Sequence, residues 1–533
     1  MPSLVTDNFR VFAAQQFMES LEEPYSDANS NTVADNTDAA RAYRSKIYLF
    51  TGRSTPWNAE RYAAGQPEAS GVSELSPPEA YDSFNDMNEI FDDMISAKRI
   101  TRSDLSQVIR RNTWNPNVKY DMYRNNYTTV NPSINGQTSL YDAQFYVINS
   151  NYQVYKCISN GQSPSFPNGR QSTVEPTGTT TSIIESPSDG YRWKYMYTID
   201  IADYIKFVST DFMPVKKDTT VAAAAIDGSI DQLVITNAGS ALTNNTYYCA
   251  IVGDGSGAVA QLQVTGNSIT SATLHSVGSG YTRGTALLNK VYTDSGLSVG
   301  QTSLSTGSIE VVISPPGGHG SDPVVELGGY RVMINKTLDF LDGDGDIPVN
   351  STFRRFGLLA DPTDQNGDDL ISTTATACLS MRFPTSGSGA PSGDFTPGAL
   401  ITQSTGLTPT HAVGVVIHYD SVTGVLRYYQ NEYIDDVARA SGDAAFVAER
   451  YKSIPFSGSN EVTQTIKDSN GNVVQTVSGT PSGTTTSFGI SFTNGYALPE
   501  VKKNSGDVIY VENRKAVNRS NDQTEDIKLV IEF

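Results

Sequence analysis

The chain has 533 residues, a formal net charge of −19, four histidines and three cysteines. That length calls for several domains rather than one core. The acidic balance argues against nucleic-acid binding by counterion release, since the basic clusters (Lys98 to Arg102, Arg110 with Arg111, Lys216 with Lys217) are short.

The first residues, "MPSLVTDNFRVFAAQQF", have no basic start and no long apolar run, so no signal peptide is expected. No later stretch has the apolar length of a membrane span, and folding in a reducing cytoplasm is the expectation. Helical spacing occurs from about Val5 to Leu21, with Phe9, Phe12, Ala13, Phe17 and Leu21 on one face and Thr6 or Asp7 as the cap. It recurs from about Ser83 to Lys98, with Phe84, Met87, Ile90 or Phe91, Met94 and Ile95 on one face. Asp86, Glu89, Asp92 and Asp93 then read as a solvated face. Between these helices Ile47 to Phe50 reads as a strand, broken by "TGRSTPW", which lacks the spacing of a phosphate loop.

"AQFYVINSNYQVYKCISN" reads as a hairpin turning at "NSN". In "DGYRWKYMYTI", Tyr191, Trp193, Tyr195 and Tyr197 alternate with Arg192, Lys194 and Met196, which predicts a strand with one aromatic face packed on another sheet. Near residue 218 the texture changes. "IDQLVITNAGSALT" from Ile230 resembles "ITSATLHSVGSGYT" from Ile269, so a small module of repeated strand-turn units is predicted. Beyond it lie strands with Gly, Ser and Thr tracts suited to surface loops, and a segment near Asn431 that suits a short helix. The chain ends on two alternating runs, "DVIYVE" and "IKLVIEF", joined by turn-favouring residues. They read as a surface hairpin, or as a loop whose charges pair elsewhere in the chain or with a partner.

Chemical constellations are sparse. Cys157, Cys249 and Cys378 are far apart, odd in number and outside C-x-x-C spacing, which argues against disulfides or a thiolate zinc site. Each reads as a small buried hydrophobe. His275, His319, His411 and His418 form no metal-binding motif, and no G-x-S-x-G elbow is present. In "DFLDGDGDIP", Asp342, Asp344 and Asp346 have calcium-loop spacing, but Ile347 and Phe353 stand where that loop needs Gly and Glu. A bound cation and a plain Asp-Gly turn both remain open there. No catalytic, cofactor-binding or metal residue is assigned.

Taken in order, several pieces resemble the baseplate wedge protein family of T-even-like contractile-tailed bacteriophages, the gene 8 product type. They are "GRSTPW" after a strand, "IRRNTW" after the acidic helix, "VYKCISN", "DGYRWKYMYTI", and the closing "VIYVENR" with "DQTEDIKLVIEF". The middle, 218–495, departs from the family's best-known member and is longer. The resemblance implies a mainly β, multidomain, non-enzymatic homodimer in the tail baseplate of a virion, assembled in the host cytoplasm. Its partners would be other wedge subunits, with no nucleic acid, membrane, cofactor or small-molecule substrate. It would take part in baseplate assembly and in the conformational switch on host attachment. The alternative is a receptor-binding or glycan-cleaving tail protein. For the fold, the expectation is antiparallel sheets or sandwiches with a few helices. An N-terminal β domain with two helices, 1–130, would be completed by 495–533. A β-rich segment 131–217, the glycine-rich module 218–300 and further β-rich domains over 301–494 would follow. Arg53 is expected to bind a remote segment, with Glu512, Asp522, Glu525 or Asp526 as partners, and Trp57 to be core.

Overall fold

The computed structural model describes residues 4–21, 46–57, 72–338, 348–404, 411–430, 454–468, 471–487, 489–520 and 523–533. The fold is mostly antiparallel β-sheet, with five α-helices among the described residues. Contacts divide the chain into two compact units: Met1–Met18, Leu105–Asn335 and Leu529–Phe533 form the first, and Glu19–Asp104 with Lys336–Lys528 the second. These interleaved bounds differ from the successive segments expected from texture. Residues 19–104 and most of 495–533 lie in the second unit.

In the first unit the helix Asp7–Glu19 is capped by Thr6, whose Oγ1 accepts from Phe9 N at 3.3 Å. Its buried face is not the expected one. Val11, Ala14 and Met18 point inward, while Phe9 and Phe12 are 60% and 56% exposed. An ionic anchor sets this rotation. Arg10 donates to Glu532 and to the Phe533 carbonyl and stacks 3.9 Å from the Tyr330 ring centroid, and Phe17 meets Phe533 at 5.4 Å. Positions 10, 14, 17 and 18 therefore share the inner side, at helical i, i+4, i+7 spacing.

The predicted hairpin forms from Tyr146–Ile148 and Gln153–Asn160. Asn149 Oδ1 accepts from the amides of Asn151 and Gln153, both at 2.9 Å, which closes the turn. The aromatic strand Tyr191–Thr198 lies beside it, followed by Ile184–Ser186 at the sheet edge. Tyr191, Trp193, Tyr195 and Tyr197 are buried as expected, but so are Lys194 and Met196, so both faces of this strand are covered. A second core lies in the module. There Asn245–Gly253, Ser256–Thr265, Ser268–Ser279 and Gly284–Ala286 form one sheet, and Ile230–Asn237 pairs with Ser308–Ile313. Both repeat copies contain a strand and a glycine of left-handed φ, 69° at Gly239 just past its strand and 64° at Gly278 inside the strand Ser268–Ser279.

In the second unit a five-stranded sheet runs in the order Thr374–Thr376, Met94–Arg99, Ile47–Gly52, Thr352–Ala360, Asp507–Asn518. A seven-stranded sheet is built from residues between 379 and 497. The helix expected to reach Lys98 stops at Asp93, and Met94–Arg99 is a strand. Ser83 caps the helix as its N-terminal turn requires. Asp93 O accepts from Arg53 N at 2.9 Å, which fastens the helix end to the adjacent strand. Gly52 permits that approach, since a Cβ there would lie 3.2 Å from Asp93 O and 3.1 Å from Oδ1.

The terminal runs do not form a hairpin. Asp507–Asn518 pairs with Thr352–Ala360, and Glu525–Glu532 lies beside Arg331–Leu338 in a different sheet. The segment suited to a helix near Asn431 and the Asp342, Asp344, Asp346 loop lie outside the described residues. Among the described residues no helix is long and apolar enough to cross a membrane.

Candidate functional sites: a buried charge network in each unit

The first network centres on Lys156, wholly buried in the strand Gln153–Asn160. Its Nζ lies 2.5 Å from Glu326 Oε1, 2.8 Å from His319 Nδ1 and 3.5 Å from the Tyr123 ring centroid. His319 Nδ1 is 2.9 Å from the same Glu326 oxygen, and its Nε2 bonds Asp231. Glu326 Oε2 accepts from Gly320 N at 2.7 Å, and Ser229 Oγ donates to Asp231 Oδ1 at 3.2 Å. Glu326 comes from the short helix Pro323–Leu327, which Asp322 caps.

Burial alone would raise the Glu326 carboxyl. The Lys156 ammonium and His319 outweigh it and hold the group at about 2. Burial would lower His319, but the charge of Asp231 and the bonds to both carboxylates raise it against the opposition of Lys156. Burial lowers Lys156 by more than Glu326 and Asp231 raise it. As an imidazolium, His319 donates to both carboxylates; when neutral, it accepts from Lys156 at Nδ1. Both ring nitrogens are thus occupied by charged groups. The nearby hydroxyl, Ser229, bonds Asp231 rather than His319, so the order needed for nucleophile activation is missing here. This cluster braces the hairpin sheet, the module strand Ile230–Asn237 and the 319–326 segment against each other.

The second network builds on "TGRSTPW" and the acidic helix. Arg53 is 3% exposed, at a left-handed φ of 57°. Its Nη1 donates to Glu89 Oε1 at 3.2 Å and lies 3.9 Å from Asp93 Oδ2, and its Nη2 donates to Pro56 O at 3.2 Å. Arg355 Nη1 lies 3.0 Å from both Asp93 oxygens, while its Nε donates to Asn513 Oδ1 at 2.9 Å. Trp57 is buried beneath the Arg53 guanidinium, 4.4 Å from the ring centroid, and its Nε1 donates to Arg514 O at 2.7 Å.

Glu89 and Asp93, expected in solvent, are therefore buried ion-pair partners, at 5% and 2% exposure. Arg53 does bind outside its own turn, but to this helix rather than to the C-terminal acids. Those acids have other partners: Glu512 takes Arg514, Glu525 takes Arg519 and Asp526 takes Thr337. Asp522 lies outside the described residues. Trp57, not Arg53, reaches the C-terminal segment. Replacing Arg53 with Lys should destabilise the second unit nearly as much as replacement with Ala, by about 1–3 kcal/mol, because an ammonium cannot reproduce the fork and the stacking. Urea denaturation would measure this, and a lysine variant as stable as the native chain would refute the assignment.

Cys157, Cys249 and Cys378 are buried free thiols. His418 is buried in the strand His411–Asp420, and His275 lies edge-on to Tyr248. Among the described residues no group of three or more His, Cys, Asp or Glu side chains is placed to hold a metal ion. No family model matches the sequence, and no curated protein does either.

Proposed function

We propose that the chain is a structural subunit of a contractile-tail baseplate wedge that joins other wedge proteins as a homodimer. One observation carries this reading. Four of the sequence pieces that resemble the wedge family each contribute groups to contacts between remote segments. "GRSTPW" supplies Arg53 and Trp57; "VYKCISN" supplies Lys156. "VIYVENR" supplies Asn513 and the Arg514 carbonyl, and the final strand supplies Glu532, which holds Arg10 and Arg331. Their charged groups are committed to bonds between remote segments. Rigid β units held this way suit a protein whose surfaces must dock neighbours without reshaping. The reading also includes a part in the baseplate's change of state on host attachment, through contacts at the surfaces of these units. It is tested by locating the chain in a reconstruction of the tail that carries it.

A further inference from the structure

One cleft of the first unit has a charge pattern that internal bracing does not use. It has a volume of about 500 Å³ and lies over His319. Its walls include Glu185, Arg192 and Lys194 from the hairpin sheet, and Gln232 and Leu274 from the module. Arg192 and Lys194 are two apart on one strand and so share a face.

The charged and titratable side chains that line it are Arg192, Lys194 and His319 against Asp231 and Glu185, and Asp231 is already bonded to His319. Glu185 is 70% exposed and stays 3.6 Å from Arg192 Nε. The Lys194 ammonium has three donors and a carbonyl acceptor, Thr181 O, in a residue only 6% exposed. Arg192 Nη1 bonds Asp231 O at 3.2 Å and Gln232 Oε1 at 2.9 Å, while its buried Nε has no acceptor. Burial lowers Lys194 by more than the distant Glu326 and Asp231 restore. In a chain of net charge −19, a dehydrated cationic wall facing open space calls for an incoming anion.

We propose that this cleft binds the carboxylate of an acidic side chain on an extended peptide segment from a neighbouring protein subunit, with Arg192 and Lys194 as its donors. A peptide fits better than a free anion for two reasons. The volume exceeds what one carboxylate fills. Its lining also draws on Ile184–Ser186 and Ser268–Ser279, each the outermost strand of its sheet among the described residues, the kind of position at which an extended segment can add. That the segment comes from a neighbouring subunit rests on the assembly reading above; recognition of an acidic peptide does not.

The test uses the full chain and isothermal titration with a blocked peptide, acetyl-Gly-Val-Glu-Val-Gly-amide, its Gln counterpart, and inorganic phosphate. The Glu peptide should bind at least about tenfold more tightly than the Gln peptide, and more weakly as salt rises. Lys194→Met and Arg192→Gln should each weaken it by about tenfold or more, with melting temperature checking the fold. Lys216→Met, at a half-exposed lysine paired with Asp200 and Asp203, should leave it unchanged. If Lys194→Met fails to fold, Arg192→Gln, at a side chain 28% exposed, decides the matter alone. Equal binding of the two peptides, no binding at millimolar peptide, or unchanged binding in the foldable variants would overturn the proposal. So would phosphate that displaces the Glu peptide and binds more tightly. Any of these failures leaves the wedge reading standing, because that reading is decided by the tail reconstruction.

Discussion

Replacing Glu326 with Gln should destabilise the first unit by about 3–5 kcal/mol, the usual cost of stranding one partner of a buried ion pair. Lys156 is fully buried, and the only carboxylate bonded to it among the described residues is Glu326. With that charge gone, the ammonium sits against Tyr123 and a histidine that is itself cationic at low pH. Removing the whole network with Lys156→Met and Glu326→Leu together should recover much of the loss, because neither charge is then dehydrated. Fluorescence of Trp114 and Trp193, both in this unit, would follow denaturation.

The same network predicts how stability varies with pH. Glu326 has a folded value of about 2 against an ordinary 4.5. Its contribution, roughly 3 kcal/mol, is present above 4.5 and is lost as pH falls toward 2. His319 is raised above its ordinary 6.5. Its contribution is complete below 6.5 and is lost as pH rises through the folded value. The first unit should therefore be most stable between about pH 4.5 and 6.5, and Glu326→Gln should flatten the acid side of that curve. An unchanged acid limb in the variant would show that the pair is not the source.

Asp93→Asn should have a comparable effect on the second unit, again about 3–5 kcal/mol. Both oxygens of Asp93 face Arg355 at 3.0 Å, Arg53 lies 3.9 Å away, and all three side chains are at least nine-tenths buried. The variant leaves two buried guanidiniums sharing fewer acids. Trp57, stacked beneath Arg53, reports the change through its fluorescence. A contrast shows why burial decides the magnitude. Glu532 makes two ion pairs but is 50% exposed, so Glu532→Gln should cost no more than about 1 kcal/mol. If Asp93→Asn cost as little as Glu532→Gln, the buried network would not be a brace.

Much of the β architecture can be read in the sequence because its cause is local. Alternation of Tyr191, Trp193, Tyr195 and Tyr197 and the turn at Asn149 to Tyr152 each act over a few residues, and the structure has both. The errors fall where a distant group decides. Met94 and Ile95 satisfy helical spacing from Ile90 and also begin a strand; pairing with Ile47–Gly52 selects the strand. Phe9 and Phe12 form the obvious apolar stripe, yet Arg10 reaches the end of the chain and turns that stripe outward. Glu89 and Asp93 look like ordinary solvent-facing acids, because nothing within the helix reveals Arg53 and Arg355. Lys156 and Glu326 are 170 positions apart, and Arg355 and Asp93 are 262. No spacing rule covers such distances. One usable signal was the lysine of "VYKCISN", a charge set in an otherwise apolar strand, which asks for a buried partner.

The central proposal is that these braced β units serve as a building block of a tail baseplate. It is tested most directly by a cryo-electron reconstruction of an intact contractile tail assembled with this chain. The account predicts two copies related by a local twofold axis in each baseplate wedge, touching other wedge subunits, with both buried networks intact. Density for the chain only at a threefold fibre or spike tip, exposed for receptor or glycan contact, would contradict it.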